Sequence, residues 1–216
     1  MMKIYDISLP IKPTMPVWPG DPPVSIRSLS KIEEGDDAAV TEIQMSVHTG
    51  THIDAASHFI EDGQTIDQIP LEKLFGEVLI INIDQIEKCI SERVLKKHPL
   101  NNELINAKKV LFKTKNSRFW HDFPEEFQTD YVGIDASGAT YLSKLNLDLV
   151  GVDYLSIAPF AETKQPHQIL LTNEIVLLEG INLISIPEGK YQLYCLPLKI
   201  KGCEGAPARV VLVDPF

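Results

Sequence analysis

Apolar residues along this chain fall into short runs separated by polar and turn residues. Seven runs read as β-strands: 78–83, 109–112, 131–134, 147–152, 175–178, 191–198 and 208–213. They are rich in Val, Ile, Leu and Tyr and are bounded by Gly, Pro, Asn or Asp, which suits a pleated, half-buried backbone. Helical patterning is scarcer. Ser91 is placed as the N-cap of a helix over 92–97, and a second helix is expected over 136–145, between two strands. Neither repeats nor a linker divide the chain, so one α/β domain over 1–216 is expected, with a mixed central sheet and helices packed on it.

Before these elements, Pro10, Pro13, Pro16, Pro19, Pro22 and Pro23 crowd into one segment with Gly20 and Asp21. Proline fixes φ and removes a backbone donor, so this segment reads as an ordered loop. Next comes His48-Thr-Gly-Thr-His52-Ile-Asp54-Ala-Ala-Ser-His58. On a helix the i, i+4 histidines would resemble a zincin pair, but Thr49, Gly50 and Thr51 are weak helix formers. A strand over 44–54 fits better. With period 2 it gathers Gln44, Ser46, His48, Gly50, His52 and Asp54 on one face, and Met45, Val47, Thr49, Thr51 and Ile53 on the other. Gly50 would leave room beside the backbone for a metal or substrate.

Two imidazoles and a carboxylate on one face form a nitrogen/oxygen donor set, suited to Zn²⁺, Mn²⁺ or Fe²⁺. The plain alternative is a polar face of hydrogen-bonded histidines. Desolvating three such groups without a ligand is costly, which favours the metal.

Charge narrows the partners. Twenty basic against 30 acidic residues leave a net charge of −10. Such a surface repels a phosphate backbone, so nucleic acid is not expected. No apolar stretch nears the about 18 residues of a membrane helix, and no signal peptide is apparent. Cys89, Cys195 and Cys203 form no CxxC pair, so a reducing cytoplasm is expected.

The segment His48-Thr-Gly-Thr-His-Ile-Asp-Ala-Ala-Ser-His-Phe59 resembles the HxGTHxDxPxH signature of the cyclase family, which includes bacterial kynurenine formamidases and isatin hydrolases. Trp18-Pro-Gly-Asp21 resembles that family's early loop. The stretch 150–157 resembles its GxDxxSxD region, and His167 with Glu179 its distal ligand pair. The stretches 191–198 and 205–211 are similar to its closing strands. Ala56 replaces the signature proline, Ala158 stands where Asp is frequent, and Cys203-Glu204 departs from an acidic-glycine pair. These changes bear on substrate choice more than on the ligand set.

The resemblance implies a fold of swivelling β/β/α type and a pair of divalent ions, zinc first and manganese second. His48, His52 and Asp54 would hold one ion, and Asp54, His167 and Glu179 would complete a second site or share the first. It implies hydrolysis of an amide, with N-formylkynurenine the preferred small-molecule substrate and a cyclic amide such as isatin, or a lactone, the alternative. A non-catalytic metal-binding protein is the reading of another class. His58 would be the general acid/base, since an imidazole titrates near neutrality; a further ligand or an outer partner is its other reading. Trp18 and Phe59 would line an aromatic pocket, or else simply pack in the core. A homodimer or homotetramer is expected by the same resemblance.

Other patterns point elsewhere. His98 and His121 read as surface residues. The stretch 133–138 lacks the G-x-S-x-G spacing of a nucleophile elbow. Nothing near Cys203 in sequence would activate its thiol.

Overall fold

The computed structural model describes residues 2–85 and 88–214. The chain opens with strand β1 (Lys3–Asp6), crosses the proline-rich loop, and forms a two-stranded ribbon of β2 (Ser25–Ser30) and β3 (Val40–Gln44). Then follow β4 (His52–Asp54), β5 (Phe75–Asn82) and β6 (Cys89–Ile90). Helices α1 (Glu92–Lys97) and α2 (Asn101–Asn106) lead to β7 (Lys109–Lys113). Next are α3 (Phe119–Asp122), β8 (Gly133–Ile134), α4 (Ala136–Leu142) and β9 (Leu149–Val152). The chain ends with α5 (Lys164–Thr172), β10 (Val176–Glu179), β11 (Gly189–Pro197) and β12 (Gly205–Asp214).

A closed sheet runs β12-β11-β5-β7-β9-β10-β4 and back to β12, which also carries β1. Strands β5, β7, β9 and β10 are parallel to one another, while β4 and β11 run against their neighbours. Closure removes open edges. The period-2 alternation sorts side chains onto two faces. Val78, Ile80, Leu111, Leu149, Val176, Leu178, Ile53 and Leu193 fill the interior. Leu79, Ile81, Val110, Phe112, Val150, Val152 and Leu177 face outward, against Leu95, Leu104, Leu142 and Leu170 of the helices. By the same alternation, His52, Asp54 and Glu179 lie on the helix-facing side.

The structure corrects several expectations. The single strand over 44–54 is two strands and a turn: β3 ends at Gln44 and β4 begins at His52. Gly50 breaks it with φ +65°, a left-handed conformation. Its purpose is that turn and not an open space for a metal, because a Cβ there would already touch Ile11 and Met15 at 3.0 Å. The strand expected over 131–134 keeps only Gly133–Ile134, paired with β6 outside the main sheet. Helix 136–145 stops at Leu142. Strands β1, β2, β3 and β6 and helices α2, α3 and α5 are additions. Helix α5 is the one that matters for the site. Pro166 sits in its first turn, where the missing N–H has no intrahelical acceptor to lose.

Candidate functional site

Strands β4 and β10 bring the first donors together. Their antiparallel register sets His52 opposite Glu179 and Asp54 opposite Leu177. The turn before β4 then fixes the His52 ring, whose Nδ1 donates to the Gly50 carbonyl at 2.9 Å. That carbonyl lies against Gly180, where φ is +67° and a Cβ would fall 2.0 Å from the Gly50 oxygen. Two left-handed glycines in contact thus set the aim of one imidazole. Thr51 ties them, its hydroxyl donating to the Gly180 carbonyl at 2.5 Å.

His48 comes from the loop before that turn. Its ring fits where Gly205 has no side chain, since a Cβ there would sit 2.8 Å from His48 Cε1. His48 Nδ1 meets Asp54 Oδ1 at 2.8 Å, and its Nε2 lies 3.6 Å from Glu204. Helix α5 adds His167, on a buried face with Leu170 and Leu171. His58 ends a short 3₁₀ turn, Ala56–His58, and stacks on His48 with ring centroids 4.0 Å apart. All six polar residues expected from the sequence, His48, His52, Asp54, His58, His167 and Glu179, therefore meet in one place.

The hydrogen-bond pattern shows what the cluster needs. His52 Nδ1 and His167 Nδ1 each face a backbone carbonyl, the latter Thr163 at 2.6 Å. A carbonyl only accepts, so both Nδ1 atoms carry hydrogen, and in the neutral rings both Nε2 atoms present lone pairs. Those lone pairs point at carboxylates. His52 Nε2 is 3.2 Å from Glu179 and 3.5 Å from Asp54; His167 Nε2 is 3.2 Å from Glu179 and 3.8 Å from Asp54. A lone pair against a buried carboxylate is repulsive unless a proton on the ring or a metal cation lies between them. Asp54 Oδ2 and His48 Nε2 are, in addition, buried without a hydrogen-bond partner. Asp54 belongs to two groups of donor atoms lying within 4.8 Å of one another, with His48 and His58 and with His52 and Glu179. The residues present thus fit a divalent ion, with Asp54 placed to be shared. Anchoring the distal ring nitrogen on the backbone is how metal-binding histidines are commonly oriented.

Protonation follows the same demand. Burial disfavours a charged His48, but the Asp54 bond and the charges of Asp54, Glu179 and Glu204 push it up to about 9. Burial also opposes a charged His167, and its bond to Glu179 still raises it. Burial works against an ionised Asp54, yet the His48 bond and the surrounding imidazoles hold it far below the usual carboxylate range. Burial and the Asp54 charge push Glu179 up, and the bonds from His167 and His52 outweigh them. His58 differs: burial lowers its pKa below the ordinary imidazole value.

The cluster opens into a cleft of about 170 Å³. Trp18 and Phe59 both line it. Trp18 is held edge-on by Phe127 at 5.3 Å and leans on Phe160 at 5.5 Å. Phe59 stacks on His167, 4.3 Å between centroids. A larger hollow of about 470 Å³ surrounds Lys109 and Lys190 and has none of these donors, so the smaller cleft is the chemically relevant one.

Sequence reasoning missed Asp21, Leu155, Ser156 and Thr163 as lining residues. The Trp18–Asp21 match was the only available signal for the first. Thr163, one turn before His167, needed helix α5 to be seen. Asp153, in the stretch 150–157, plays another part: it is fully buried and accepts four bonds from Thr114 and Ser117. Of the outlying histidines, His121 is exposed as expected, whereas His98 is half-buried and bonded to the Asn82 carbonyl at 3.2 Å.

Donors of this kind, on the helix-facing side of a closed α/β sheet and open to a small cleft, define the class of the protein at its coarsest: a candidate metal-dependent enzyme. More narrowly, the chain belongs to the cyclase family, described as putative cyclase, which matches residues 5–159. Cyclase-like protein 3 of Arabidopsis thaliana is 36% identical over 219 residues, covering 98% of this chain and 79% of that protein. Kynurenine formamidase of Salinibacter ruber is 35% identical over 216 residues, covering 99% and 98%. A solved structure described as a potential metal-dependent hydrolase with cyclase activity superposes with a TM-score of 0.84 at 33% identity, covering 100% of both chains. An isatin hydrolase bound to the product analogue thioisatinate shares the fold, with a TM-score of 0.83 at 21% identity over 100% of this chain and 93% of that one. The family and the fold class expected from the sequence are both borne out.

Proposed function

We propose that the protein hydrolyses the formamide bond of N-formylkynurenine, giving formate and kynurenine, with zinc, or manganese in its place, held by His48, His52, Asp54, His167 and Glu179. The observation that carries this reading is the pair of anchored imidazoles, His52 and His167, whose Nε2 lone pairs face Asp54 and Glu179. The similarity to kynurenine formamidases over nearly the whole chain supports the substrate.

When bound, a divalent ion lowers the pKa of water from ~15.7 to about 7 and polarises a carbonyl. The chain does the rest. His58 is kept neutral near pH 7 by burial. One of its ring nitrogens takes a proton from the attacking water and returns it to the arylamine nitrogen as the C–N bond breaks. Trp18 and Phe59 hold the aryl ring in the cleft.

One observation favours a second role for His58, because it lies in a three-donor group with His48 and Asp54. A His58→Ala variant separates the two. As acid/base its loss leaves metal content intact and lowers kcat by about 10²–10⁴-fold; as a ligand its loss removes metal. Bound metal with no turnover by the parent on formamides, isatin or lactones would favour the non-catalytic reading.

A homodimer or homotetramer is also proposed. The β2–β3 ribbon exposes Ile26 and Ile43, paired across it, and a two-stranded ribbon is marginal alone. Light scattering on the parent and an Ile26→Ser/Ile43→Ser variant tests this. No helix among the described residues is long and apolar enough to cross a membrane, and Cys89, Cys195 and Cys203 are free thiols. A cytoplasmic location is proposed on that basis.

A further inference from the structure

The cleft contains a carboxylate that the hydrolytic chemistry does not use. Asp21 lines it, in the loop that also carries Trp18. The backbone N–H of Asp21 closes a turn onto the Trp18 carbonyl at 2.9 Å, so the residue is held in place by its main chain. Its side chain takes part in no hydrogen bond or ion pair with any described residue. The other polar groups of the cleft are the imidazoles and Glu179 of the donor cluster, together with the hydroxyls of Ser156 and Thr163. Among the described residues, no lysine or arginine lines the cleft.

We propose that Asp21 is a specificity-determining residue that receives the ammonium group of the substrate, so that the cleft selects aromatic amides bearing a positive charge away from the scissile bond. The assignment rests on the function proposed above and deepens it.

The argument is one of charge placement. A half-buried carboxylate beside a partly enclosed cleft attracts a cation, and the attraction grows as the ligand displaces water from between them. The cluster's own carboxylates, Asp54 and Glu179, belong to the donor groups that would hold the metal, which leaves Asp21 as the free negative group. Trp18, braced by the tilted ring of Phe160, supplies an aromatic face to the same cleft. A ligand with an aromatic body, an amide at one end and an ammonium at the other therefore meets a matching partner at each point: donor cluster, aromatic wall and Asp21. A ligand whose only remote charge is negative finds no such partner.

The test uses Asp21→Asn, which keeps the size and the main-chain turn. Three formamides are compared with the metal-loaded parent and variant: N-formylkynurenine, N-formylkynuramine, which keeps the ammonium and lacks the carboxylate, and 2-formamidoacetophenone, which has neither. The variant should raise KM by roughly tenfold for the first two, as for the loss of one charge-assisted bond. Its kcat should stay within about twofold, and both constants should be unchanged on the third. An equal effect on all three substrates, or none on any, overturns the assignment. Binding of the amines kynuramine and 2-aminoacetophenone by calorimetry gives a readout independent of turnover. If the parent hydrolyses no formamide, the proposed function fails. The Asp21 assignment then stands or falls on whether Asp21→Asn weakens kynuramine alone.

Discussion

Replacing Gly180 with alanine tests whether two glycines aim the His52 ring. A Cβ at Gly180 would lie 2.0 Å from the Gly50 oxygen, and φ there is +67°. The left-handed conformation alone costs an alanine about 1–2 kcal/mol. Relief of the contact to an ordinary separation of 3.4 Å needs 3.4 − 2.0 = 1.4 Å of movement. Such a shift disrupts the bond from His52 Nδ1 to the Gly50 carbonyl or that from Thr51 to the Gly180 carbonyl. Each buried bond lost adds about 1–3 kcal/mol. With one bond lost the sum is about 2–5 kcal/mol, which for a chain of this size lowers the melting temperature by roughly 10 °C. Gly35→Ala is the control, since φ there is +100° and nothing lies within 4 Å. It carries the conformational term alone and should lose only about 5 °C. Calorimetric melting in excess chelator reads stability, and zinc titration then reads the site. Gly180→Ala should bind zinc at least tenfold more weakly, because an anchored ring is part of the ligand's affinity. An alanine variant that melts no lower than the Gly35 control, and binds zinc like the parent, would refute the reasoning.

Two further outcomes follow from the geometry. In chelated protein, His48 and His167 have raised pKa values, His48 up to about 9. A raised imidazole contributes stability that is full below its unfolded value of about 6.5 and is lost as pH rises through the folded value. Melting temperature without metal should therefore fall between pH 6.5 and 9, and zinc binding near pH 7.5 should release protons, seen as a buffer-dependent enthalpy; a flat profile would contradict the protonation assigned to the cluster. Asp153→Ala removes the acceptor of four buried bonds and should cost about 3–5 kcal/mol in denaturant melts. Zinc bound per folded molecule should not change, because Asp153 serves the framework and not the donors.

Much of the closed sheet was legible because alternating burial leaves a period-2 record, as at Val78–Leu79–Ile80–Ile81. Strands β2 and β3 left no such record, since neither face is buried. The donor motif was legible from residue type and spacing, yet its geometry was misread. Residues 44–54 alternate like one strand, and nothing in the letters reveals that Gly50 takes a positive φ to offer its carbonyl to His52. Helix α5 was hidden by Pro166 and by the lack of a capping side chain at Thr163. So His167 could be placed by resemblance but not aimed. Its meeting with Glu179 depends on packing between a helix and a strand, which is a tertiary fact. Asp21 escaped because a free carboxylate in a loop looks like any solvated acid until the cleft is seen around it.

Metal analysis of the purified protein, followed by formate release from N-formylkynurenine before and after chelation, tests the divalent-metal site and amide hydrolysis together. Zinc or manganese is expected at roughly two equivalents per chain, with formate release that stops on chelation and recovers when metal is restored. No bound metal, even after zinc or manganese is added, would contradict the metal site and would return His48, His52 and Asp54 to a hydrogen-bonded polar face.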